Sequence, residues 1–326
     1  MSKSLIEDER AAIETLIGKF STVSIIQQLW KGFGAIYRVE KDDGGSVILK
    51  HFNFAHETEP LDDPMPNSTR FSSFQREIRF YELLANASAA QVPCFIASKE
   101  IQNGNGKVMA MEDLDPLGFP GRFKNRCNLS FEQVLPMVHW LAKFHAGFWR
   151  NEKAAEVMWP VGTYWNIEKR KDEFQSCKDE SELVKKGEIL DEMIHSAKYK
   201  TLIHGDGKVE NFCFSADGKK VAGIDFQWSG LGVGTTDLYY LLTSCYENFS
   251  RYGEVVDAYF KFLREFLREE IQEVSVIEKI EQEWRYLWPV IVADFERFLI
   301  TWNPNHWKRN EYSAAQSKIA LDLIRS

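Results

Sequence analysis

The sequence lacks a hydrophobic run of membrane length and lacks any C-x-x-C pair. The first absence argues against a membrane-spanning helix. The five scattered cysteines, an odd number, argue against a structural zinc site and fit reduced thiols. The first residues, MSKSLIEDERAAIETL, are acidic where a secretory signal needs an apolar core. We therefore expect a cytoplasmic protein that has no membrane as a partner.

An excess of positive charge is absent as well. The chain has 40 lysine and arginine residues against 48 aspartate and glutamate residues, with a net charge of −8 and a pI near 5.5. This balance argues against a nucleic-acid partner, although a local pocket can still bind a small anion. With 326 residues, the chain is long enough for two lobes with sizeable cores.

The first third of the chain is predicted to form a small β-rich lobe. The run DDGG, residues 42–45, indicates a hairpin turn between two strands. Apolar residues three and four positions apart indicate helices on either side of this hairpin. The predicted order is a helix at 2–20, strands at 35–40 and 46–52, a loop at 53–72, a helix at 73–86, and strands at 92–98 and 107–111.

Helical patterns prevail in the rest of the chain. Ser130 and Gln133 form a capping box for a helix that is predicted to run to about Trp149. We expect an α+β protein with a small N-lobe, residues 1–114, and a larger, mainly helical C-lobe, residues 115–326. The cleft between two such lobes is where a ligand usually binds.

Two short acidic loops contain the residues that indicate chemistry. The run HGDGKVEN holds Asp206 and Asn211, and the run VAGIDFQW holds Asp225 after a strand-like stretch. Phosphoryl transfer needs a carboxylate near the attacking hydroxyl and oxygen ligands for Mg²⁺. An aspartate beside glycine is usually a turn residue. The three residues in this order nevertheless favour a kinase, with Asp206 as the base and Asn211 and Asp225 as metal ligands.

A kinase also needs a lysine for the nucleotide phosphates and a glutamate that orients it. Lys50 lies late in the second predicted strand, and Glu77 lies in the helix that follows. Each has a simpler interpretation, because a lysine can keep an edge strand soluble and a glutamate can face solvent on a helix. Their order ahead of the two acidic loops favours the functional interpretation, although Glu82 on the same helix competes with Glu77.

A phosphate-covering loop is the weakest feature of the pattern. The run LWKGFGAIYRV offers Gly32 and Gly34 before a strand but does not match G-x-G-x-x-G. Two glycines before a strand are more often a simple turn. We keep both glycines as candidate nucleotide-binding residues.

The predicted junction of the lobes offers a second nucleotide contact. The run VMAMEDL continues a predicted strand through Met111, Glu112, Asp113 and Leu114. Main-chain N–H and C=O groups of these four residues are candidates for contacts with the adenine edge. Packing in the core explains the methionines equally well.

These stretches resemble a known family. The runs TLIHGDGKVENFCF, VAGIDFQW, TDLYYLL, MAMEDL and LAKFHAGFW are similar to the aminoglycoside phosphotransferase and choline kinase-like superfamily. The patterns I-D-F-Q and F-x-x-E-I-x-F-Y are most similar to its ecdysteroid kinase-like branch. The resemblance covers about residues 31–242. It implies a bilobal protein kinase-like fold, ATP with Mg²⁺ as cofactors, and phosphorylation of a hydroxyl group on a small molecule.

The resemblance also assigns roles to individual residues. It makes Asp206 the catalytic base, Asn211 and Asp225 the metal ligands, and Lys50 and Glu77 an ion pair that anchors phosphate. It further makes His204 and Asp237 structural supports of the loop and His145 a packing residue. Gly207 departs from the family, because relatives often have a bulky apolar residue there. Lys208 is similar to the lysine with which protein kinases neutralise the transferred phosphate, and a solvated loop lysine is the alternative.

Such a chain has four candidate functions, and the first, a hydrolase with Asp206 as nucleophile, lacks a general acid at a convincing spacing. A small-molecule kinase is favoured over a protein kinase, because nothing after Asp225 resembles an activation segment or an A-P-E motif before helices resume at Thr235. A nucleotide-binding pseudokinase is the second alternative, and the complete set of expected site residues argues against it. An atypical protein kinase has only Lys208 in its favour.

The acceptor of the phosphate is predicted to bind near the C-terminal end of the chain. Aromatic and acidic residues alternate there and could hold a choline-like cation or an amino sugar, while apolar walls would suit a sterol. The simpler interpretation is that most of the tryptophans belong to the core. The residues concerned are Trp284, Trp288, Trp302, Trp307, Glu281, Glu283, Asp294 and Glu296.

Overall fold

The computed structural model describes residues 6–7, 9–29, 32–54 and 65–325 of the chain. Its strands are β1 (Phe20–Gln28), β2 (Gly34–Lys41), β3 (Ser46–Asn53), β4 (Phe95–Ile101), β5 (Gly106–Glu112), β6 (Thr201–Ile203), β7 (Phe212–Phe214), β8 (Val221–Gly223) and β9 (Gly230–Gly232). Its α-helices are α1 (Arg10–Ile17), α2 (Asn67–Leu83), α3 (Phe131–Gly147), α4 (Glu152–Val157), α5 (Lys171–Ser176), α6 (Glu182–Lys185), α7 (Gly187–His195), α8 (Thr235–Cys245), α9 (Tyr252–Glu270), α10 (Val274–Tyr286), α11 (Trp288–Trp302) and α12 (Glu311–Arg325).

The first five strands form one antiparallel sheet in the order β1-β2-β3-β5-β4. Side chains alternate between the two faces of a strand. In β3 this alternation places Val47 and Leu49 in a core on the α1 side of the sheet. Ile48 and Phe52 pack instead into the core that continues into the helical part. Lys50 therefore lies on the face of the sheet that is turned towards the helices.

The helical part has a core built on α3. Ser130 caps this helix with the predicted capping box, in which its hydroxyl accepts from Gln133 N–H and its own N–H donates to Gln133 Oε1. The buried stripe of α3 packs against α9. Helix α8 is buried at every position, as expected for a helix at the centre of a lobe. A mixed α+β architecture with a β-rich N-terminal sheet and a helical C-terminal part, a bilobal protein kinase-like fold, is thereby confirmed.

The predicted helix over residues 2–20 is wrong at its C-terminal end. Helix α1 ends at Ile17, Gly18 follows with a φ of 83°, and β1 begins at Phe20. The sequence did not indicate β1 because this edge strand is exposed at seven of its nine positions and shows no alternation. Residues 1–5 and 8 of the predicted helix lie outside the described residues.

The predicted loop over residues 53–72 is also partly wrong. Helix α2 begins at Asn67, directly after Pro66, six residues before the predicted start at Ser73. Its first turn, Asn67 to Arg70, is polar, so the apolar spacing that indicates a helix begins only at Phe71. Residues 55–64 lie outside the described part of the chain.

The remaining predicted elements are present with small shifts. The strand predicted at 92–98 is β4, three residues further along, and the strand predicted at 107–111 is β5. The division of the lobes at residue 114 stays a prediction. None of the helices in the described ranges is both long enough and apolar enough to span a bilayer.

The core of the helical lobe should be sensitive to a cavity. Phe144 on α3 is fully buried and contacts the rings of Phe80, Trp140 and Phe226. Replacement of a buried phenylalanine by alanine costs about 3–5 kcal/mol. We expect Phe144→Ala to lower the free energy of unfolding by that amount, measured by urea denaturation followed by circular dichroism.

Ile319→Ala provides the control for this prediction. Ile319 lies on α12 and is 47% exposed, so its truncation should change the free energy of unfolding by less than about 1 kcal/mol. Equal effects of the two substitutions would contradict the assignment of Phe144 to the core.

Candidate active site

An ion pair that crosses from the sheet to α2 forms one wall of the site. Lys50 Nζ lies 2.7 and 2.9 Å from the two carboxylate oxygens of Glu77, and both residues are buried. Glu77 occupies the same face of α2 as Phe74, Ile78 and Tyr81, which anchor the helix in the core. The structure thus brings together the two residues that the sequence predicted to pair.

Glu82, the competing residue, does not reach Lys50. It lies five positions further along α2 and accepts a hydrogen bond from the Ser98 hydroxyl at 2.7 Å on the protein surface. Residues five positions apart face different directions on a helix. Of the two glutamates, only Glu77 can therefore orient Lys50.

Lys50 also reaches the second acidic loop. Its Nζ lies 3.2 Å from Asp225 Oδ1, so one ammonium is shared by two carboxylates. Burial acts to lower the pKa of Lys50, but the Asp225 and Glu77 carboxylates outweigh it and hold that pKa above its usual value. Burial raises the pKa of the Glu77 carboxyl despite the opposing Lys50 ammonium. The lysine is therefore charged and fixed in place.

The loop of residues 204–211, here called the catalytic loop, holds Asp206 and Asn211 in direct contact. Asn211 Nδ2 donates to Asp206 Oδ2 at 3.0 Å and to the Asp206 carbonyl at 2.8 Å. Lys208 Nζ lies 3.2 Å from the same Oδ2. The other oxygen, Asp206 Oδ1, is buried and accepts no hydrogen bond of ordinary geometry in the described part of the chain, although the Tyr240 hydroxyl lies close to this carboxylate. A buried acceptor without a hydrogen bond is rare and calls for a ligand that donates to it.

Asp237 fixes the backbone of the catalytic loop. Its carboxylate accepts from His204 N–H at 2.6 Å and from Gly205 N–H at 2.9 Å, and His145 Nε2 lies 3.1 Å from it. Gly205 has a φ of 78°, and a Cβ there would lie 2.0 Å from the Trp228 carbonyl. The sequence predicted supporting roles for His204 and Asp237. His145, predicted only to pack, also forms a hydrogen bond.

Gly207 leaves space beside that support. A Cβ at this position would lie 3.7 Å from Asp237, an ordinary contact distance, and the backbone does not require glycine. Lys208, the next residue, folds back onto Asp206. The Asp206 carboxylate raises the pKa of Lys208 above its usual value despite burial. Lys208 is therefore part of the site rather than a freely solvated loop residue.

The β7–β8 hairpin brings Asn211 and Asp225 to the same place. Phe212 pairs with Gly223, and beyond this pair Ile224 N–H donates to the Asn211 carbonyl at 3.0 Å. Asp225 follows immediately with a φ of 69°, a left-handed conformation that few residues other than glycine adopt. Such conformations are found at functional sites, where the surrounding structure holds them. The hairpin explains how two residues 14 positions apart in the chain come to lie near each other.

The donor set of these two residues fits Mg²⁺. Asn211 and Asp225 offer amide and carboxylate oxygens, and Mg²⁺ takes oxygen ligands while retaining water or phosphate. Burial acts to raise the pKa of Asp225, but Lys50 and Lys208 outweigh it and hold that pKa below its usual value. No group of three or more His, Cys, Asp or Glu residues suited to a metal occurs in the described ranges. An ion at this site would therefore depend on ligands from a bound phosphate.

Comparison with known proteins places this geometry in a family. The model of the phosphotransferase enzyme family matches residues 25–274, more than half of the chain. The chain belongs to the phosphotransferase enzyme family. No curated protein matches it significantly.

Solved structures with similar folds support the assignment of the fold. Amicoumacin kinase in complex with AMP-PNP, Ca²⁺ and Ami is 14% identical, with a TM-score of 0.55 over 99% of this chain and 96% of that chain. Macrolide 2′-phosphotransferase from Brachybacterium faecium is 13% identical, with a TM-score of 0.54 over 94% and 98%. The GDP complex of aminoglycoside 2′-phosphotransferase-IIIa is 14% identical, with a TM-score of 0.51 over 98% and 97%.

Of the two glycines in the predicted phosphate loop, Gly34 has no space for a side chain, whereas Gly32 has. Gly34 has a φ of 141°, and a Cβ there would lie 1.8 Å from the His51 carbonyl, so the close approach of β2 to β3 requires it. Gly32 lies in the turn between β1 and β2 with a φ of 82° and open space around it. Trp30 and Lys31 of this turn lie outside the described residues.

The predicted adenine contact lies along the end of β5. Met111 is buried in the sheet, and Glu112 N–H donates to the Cys94 carbonyl at 3.0 Å. The Asp113 carboxylate accepts from Arg38 Nε and Ser46 Oγ, each at 2.7 Å, and therefore braces the junction. Leu114 packs with Cys213 and Ala222 of the β7–β8 hairpin. Side chains at this junction are occupied within the protein, so a nucleotide would meet main-chain groups.

The expected acidic cage for the acceptor does not form. Trp284 and Trp288 are core residues whose indole N–H groups donate to the Tyr199 carbonyl and the Tyr312 hydroxyl. The simpler interpretation of these two tryptophans is therefore correct. Each acid has another partner: Glu281 pairs with Arg264 and Arg285, Glu283 accepts from Lys198 N–H and Tyr199 N–H, Asp294 pairs with Arg297, and Glu296 pairs with Arg309.

The sequence did not indicate that Tyr164, Tyr240 and Lys308 lie together near Asp206. The hydroxyls of Tyr164 and Tyr240 lie 3.0 Å apart, and Lys308 Nζ lies 3.9 Å from the centre of the Tyr240 ring. Burial, reinforced by the Asp206 carboxylate, raises the pKa of Tyr164 to about 12. Tyr240 follows Asp237 by three positions on α8, a spacing that places both on one helix face and that could have indicated it.

The role of Glu77 can be tested against its neighbour on α2. Removal of its charge leaves Lys50 with Asp225 as its one anionic partner in the described structure. We expect Glu77→Gln to weaken nucleotide binding by about tenfold, or about 1.4 kcal/mol, measured by isothermal titration calorimetry with AMP-PNP. Glu82→Gln, on the exposed side of the same helix, should leave the dissociation constant unchanged. Equal weakening by both substitutions would contradict a specific role for Glu77.

Proposed function

We propose that this phosphotransferase is an ATP- and Mg²⁺-dependent kinase that transfers the γ-phosphate of ATP to a hydroxyl group of a small molecule. The buried Asp206 Oδ1, which accepts no hydrogen bond of ordinary geometry in the described structure, is the observation that carries this proposal. A hydroxyl that donates to this oxygen would be aligned for removal of its proton. The nucleotide-bound states named for amicoumacin kinase, with AMP-PNP, and for the 2′-phosphotransferase, with GDP, support a nucleotide as the phosphate donor.

Different residues of the catalytic loop would position the Asp206 carboxylate, accept the proton of the acceptor and neutralise charge. Asn211 and Lys208 hold Asp206 Oδ2, so the carboxylate keeps one oxygen directed at the incoming hydroxyl. Asp206 would accept the hydroxyl proton as the acceptor oxygen bonds to the γ-phosphorus and the bond from that phosphorus to the bridging oxygen breaks, with ADP as the leaving group. Lys208, at the same carboxylate, would neutralise charge on the transferred group.

Residues on the Lys50–Glu77 side of the site would hold the nucleotide. Lys50, oriented by Glu77, would bind the phosphates of ATP, while Asn211 and Asp225 would hold Mg²⁺. Bound Mg²⁺ would supply positive charge to the phosphate oxygens. Gly32 and Gly34 would cover the phosphates, and the main chain from Met111 to Leu114 would contact the adenine.

The ecdysteroid kinase-like branch is the part of the superfamily that we propose for this chain. Two sequence patterns support it, and the residues of these patterns contact one another. Phe226 of I-D-F-Q stacks on Phe80 of F-x-x-E-I-x-F-Y with ring centres 3.7 Å apart. Ser73 Oγ lies 3.5 Å from Gln227 Oε1 at the edge of the same contact. We also propose a cytoplasmic location and an N-lobe that ends at residue 114.

A small-molecule acceptor is preferred to a protein. Only β9 and its flanking turns separate Asp225 from the start of α8 at Thr235. This distance leaves no segment on which a peptide could dock in the manner of protein kinases. The macrolide and aminoglycoside phosphotransferases with similar folds carry small-molecule names, which supports the same preference.

Substitution of Asp206 should impair phosphate transfer, whereas substitution of Asp225 should impair ATP binding. Asp206→Asn keeps the shape of the side chain but removes the base, which contributes about 10²–10⁴-fold to rate. We expect this variant to lose phosphate transfer by that factor and to bind ATP with unchanged affinity. Asp225→Ala should instead remove the Mg²⁺-dependent part of ATP binding.

The measurement is Mg²⁺-dependent ATP consumption with choline, aminoglycosides, sugars, nucleosides and sterols as acceptors, beside calorimetric titration of ATP with and without Mg²⁺. Activity with one class of acceptor that disappears in Asp206→Asn would support the kinase. ATP binding without transfer to any acceptor would favour a pseudokinase, and transfer to a peptide mixture would favour a protein kinase. Identical behaviour of the two variants would contradict the separate roles.

A further inference from the structure

The Lys308 side chain is largely buried, and its ammonium has no hydrogen-bond or ionic partner among the described residues. It lies in the connection between α11 and α12, and only 6% of its surface is exposed. No hydrogen-bond acceptor or carboxylate among the described residues binds its Nζ, which lies 3.9 Å from the centre of the Tyr240 ring. Burial of a charge without a partner is costly. Such a group is retained where a ligand completes it.

The other buried lysine and arginine side chains of the described structure each have a partner of the kind that Lys308 lacks. Lys50 pairs with Glu77, Arg170 with Glu173, and Arg297 with Asp294. Lys169 Nζ donates to the Val161 carbonyl at 2.6 Å. Lys169, like Lys308, has no carboxylate partner, but its ammonium has a backbone acceptor, and among the described buried lysine and arginine residues Lys308 alone has neither kind of partner.

The charged neighbours of Lys308 locate it on the acceptor side of Asp206. They are Asp206, Lys208 and Glu210 from the catalytic loop, while the neutral Cys245 thiol of α8 lies nearby and Tyr240 and Phe295 pack against Lys308 from α8 and α11. None of them belongs to the sheet or to the Lys50–Glu77 wall where the nucleotide would bind. Burial lowers the pKa of Lys308 to about 7, although the nearby Asp206 carboxylate opposes this.

The existing residues cannot satisfy this ammonium. Asp206 Oδ2 is already held by Asn211 and Lys208, and its Oδ1 is needed for the acceptor hydroxyl. Glu210 is exposed and accepts from Asn125 Nδ2 at 2.6 Å. The partner must therefore arrive with the acceptor.

We propose that Lys308 binds an anionic oxygen group of the acceptor, a carboxylate or a phosphate, and so selects hydroxylated anions over amines. This inference rests on the proposed function, because it assumes that the acceptor hydroxyl lies at Asp206. It names the charge of the acceptor class, which the kinase assignment alone leaves open.

The aromatic surroundings work against a cationic acceptor. The Lys308 ammonium already occupies the face of Tyr240, and Arg126 lies over the Trp307 ring at 4.5 Å. These are the positions at which a quaternary ammonium would seek a ring face. A choline-like or polyamine acceptor would meet two cations there, whereas an anion would be attracted by both.

The test uses three alcohol scaffolds, a hexose, a benzyl alcohol and a steroid alcohol. Each scaffold is tested as its carboxylate, primary amide and primary amine derivative. Hexose 6-phosphate is added to distinguish a preference for phosphate from a preference for carboxylate. Dissociation constants are measured by calorimetry on the full chain with saturating AMP-PNP and Mg²⁺. In at least one scaffold we expect an anionic member to bind at least about tenfold more tightly than the amide, and the amine to bind more weakly than the amide.

Three variants connect this preference to Lys308. Lys308→Met should reduce the preference for the anion to less than about twofold, while Lys308→Arg should retain most of it. Lys318→Met removes an exposed lysine on α12 and should have no effect. Lys308→Met should also keep or raise the Tm, because methionine fills the site without an unpaired charge. Equal affinities for carboxylates and amides, a preference for amines, or a preference that survives in Lys308→Met would overturn the proposal.

Phosphate transfer from ATP is measured on the same panel. Lys308-dependent binding of an anion without transfer to any compound would contradict the kinase while leaving an anion site at Lys308. Transfer to an amine or an amide that does not depend on Lys308 would confirm the kinase and overturn the proposal about the acceptor.

Discussion

The buried Asp237 carboxylate is the contact on which the site depends. It binds two successive backbone N–H groups at the start of the catalytic loop and a histidine from α3, so it ties the loop to two helices of the core. His145 in turn lies 2.8 Å from the Tyr259 hydroxyl on α9. Hydrogen bonds to a charged acceptor are stronger than neutral ones, and burial strengthens them further. The position of Asp206 is therefore set by the centre of the lobe.

Local geometry explains which parts of the site the sequence could predict. Asp206, Asn211 and Asp225 lie within one loop and the hairpin beside it, so their spacing reflects their contact directly. Lys50 and Glu77 are farther apart in the chain, and their order along a strand and a helix sufficed to suggest the pair. Such short-range arrangements leave a pattern in a single sequence.

Contacts between distant segments leave no such pattern. Glu281 and Glu296 suggested a pocket for a cation because Arg264 and Arg309 pair with them from outside their own helices. The pairs Glu281–Arg285 and Asp294–Arg297 lie within single helices, four and three positions apart, and were overlooked in the sequence. Lys308 was missed because Tyr240 and Asp206 reach it only through tertiary packing. Edge strand β1 was missed because solvent on most of its surface removes the apolar alternation. The polar composition of these segments alone could not show which side chains are paired, buried or exposed in the fold.

The contact of Lys50 with Asp225 links the affinities for two ligands. This ion pair, at 3.2 Å, joins Asp225 to the lysine that Glu77 also binds. A phosphate that binds Lys50 weakens the pair from one side, and a divalent cation that binds Asp225 weakens it from the other. Whichever arrives first releases the group that the second needs. Under the proposed function, nucleotide and metal are thus expected to bind with positive cooperativity, a reciprocal coupling that requires no movement of the lobes.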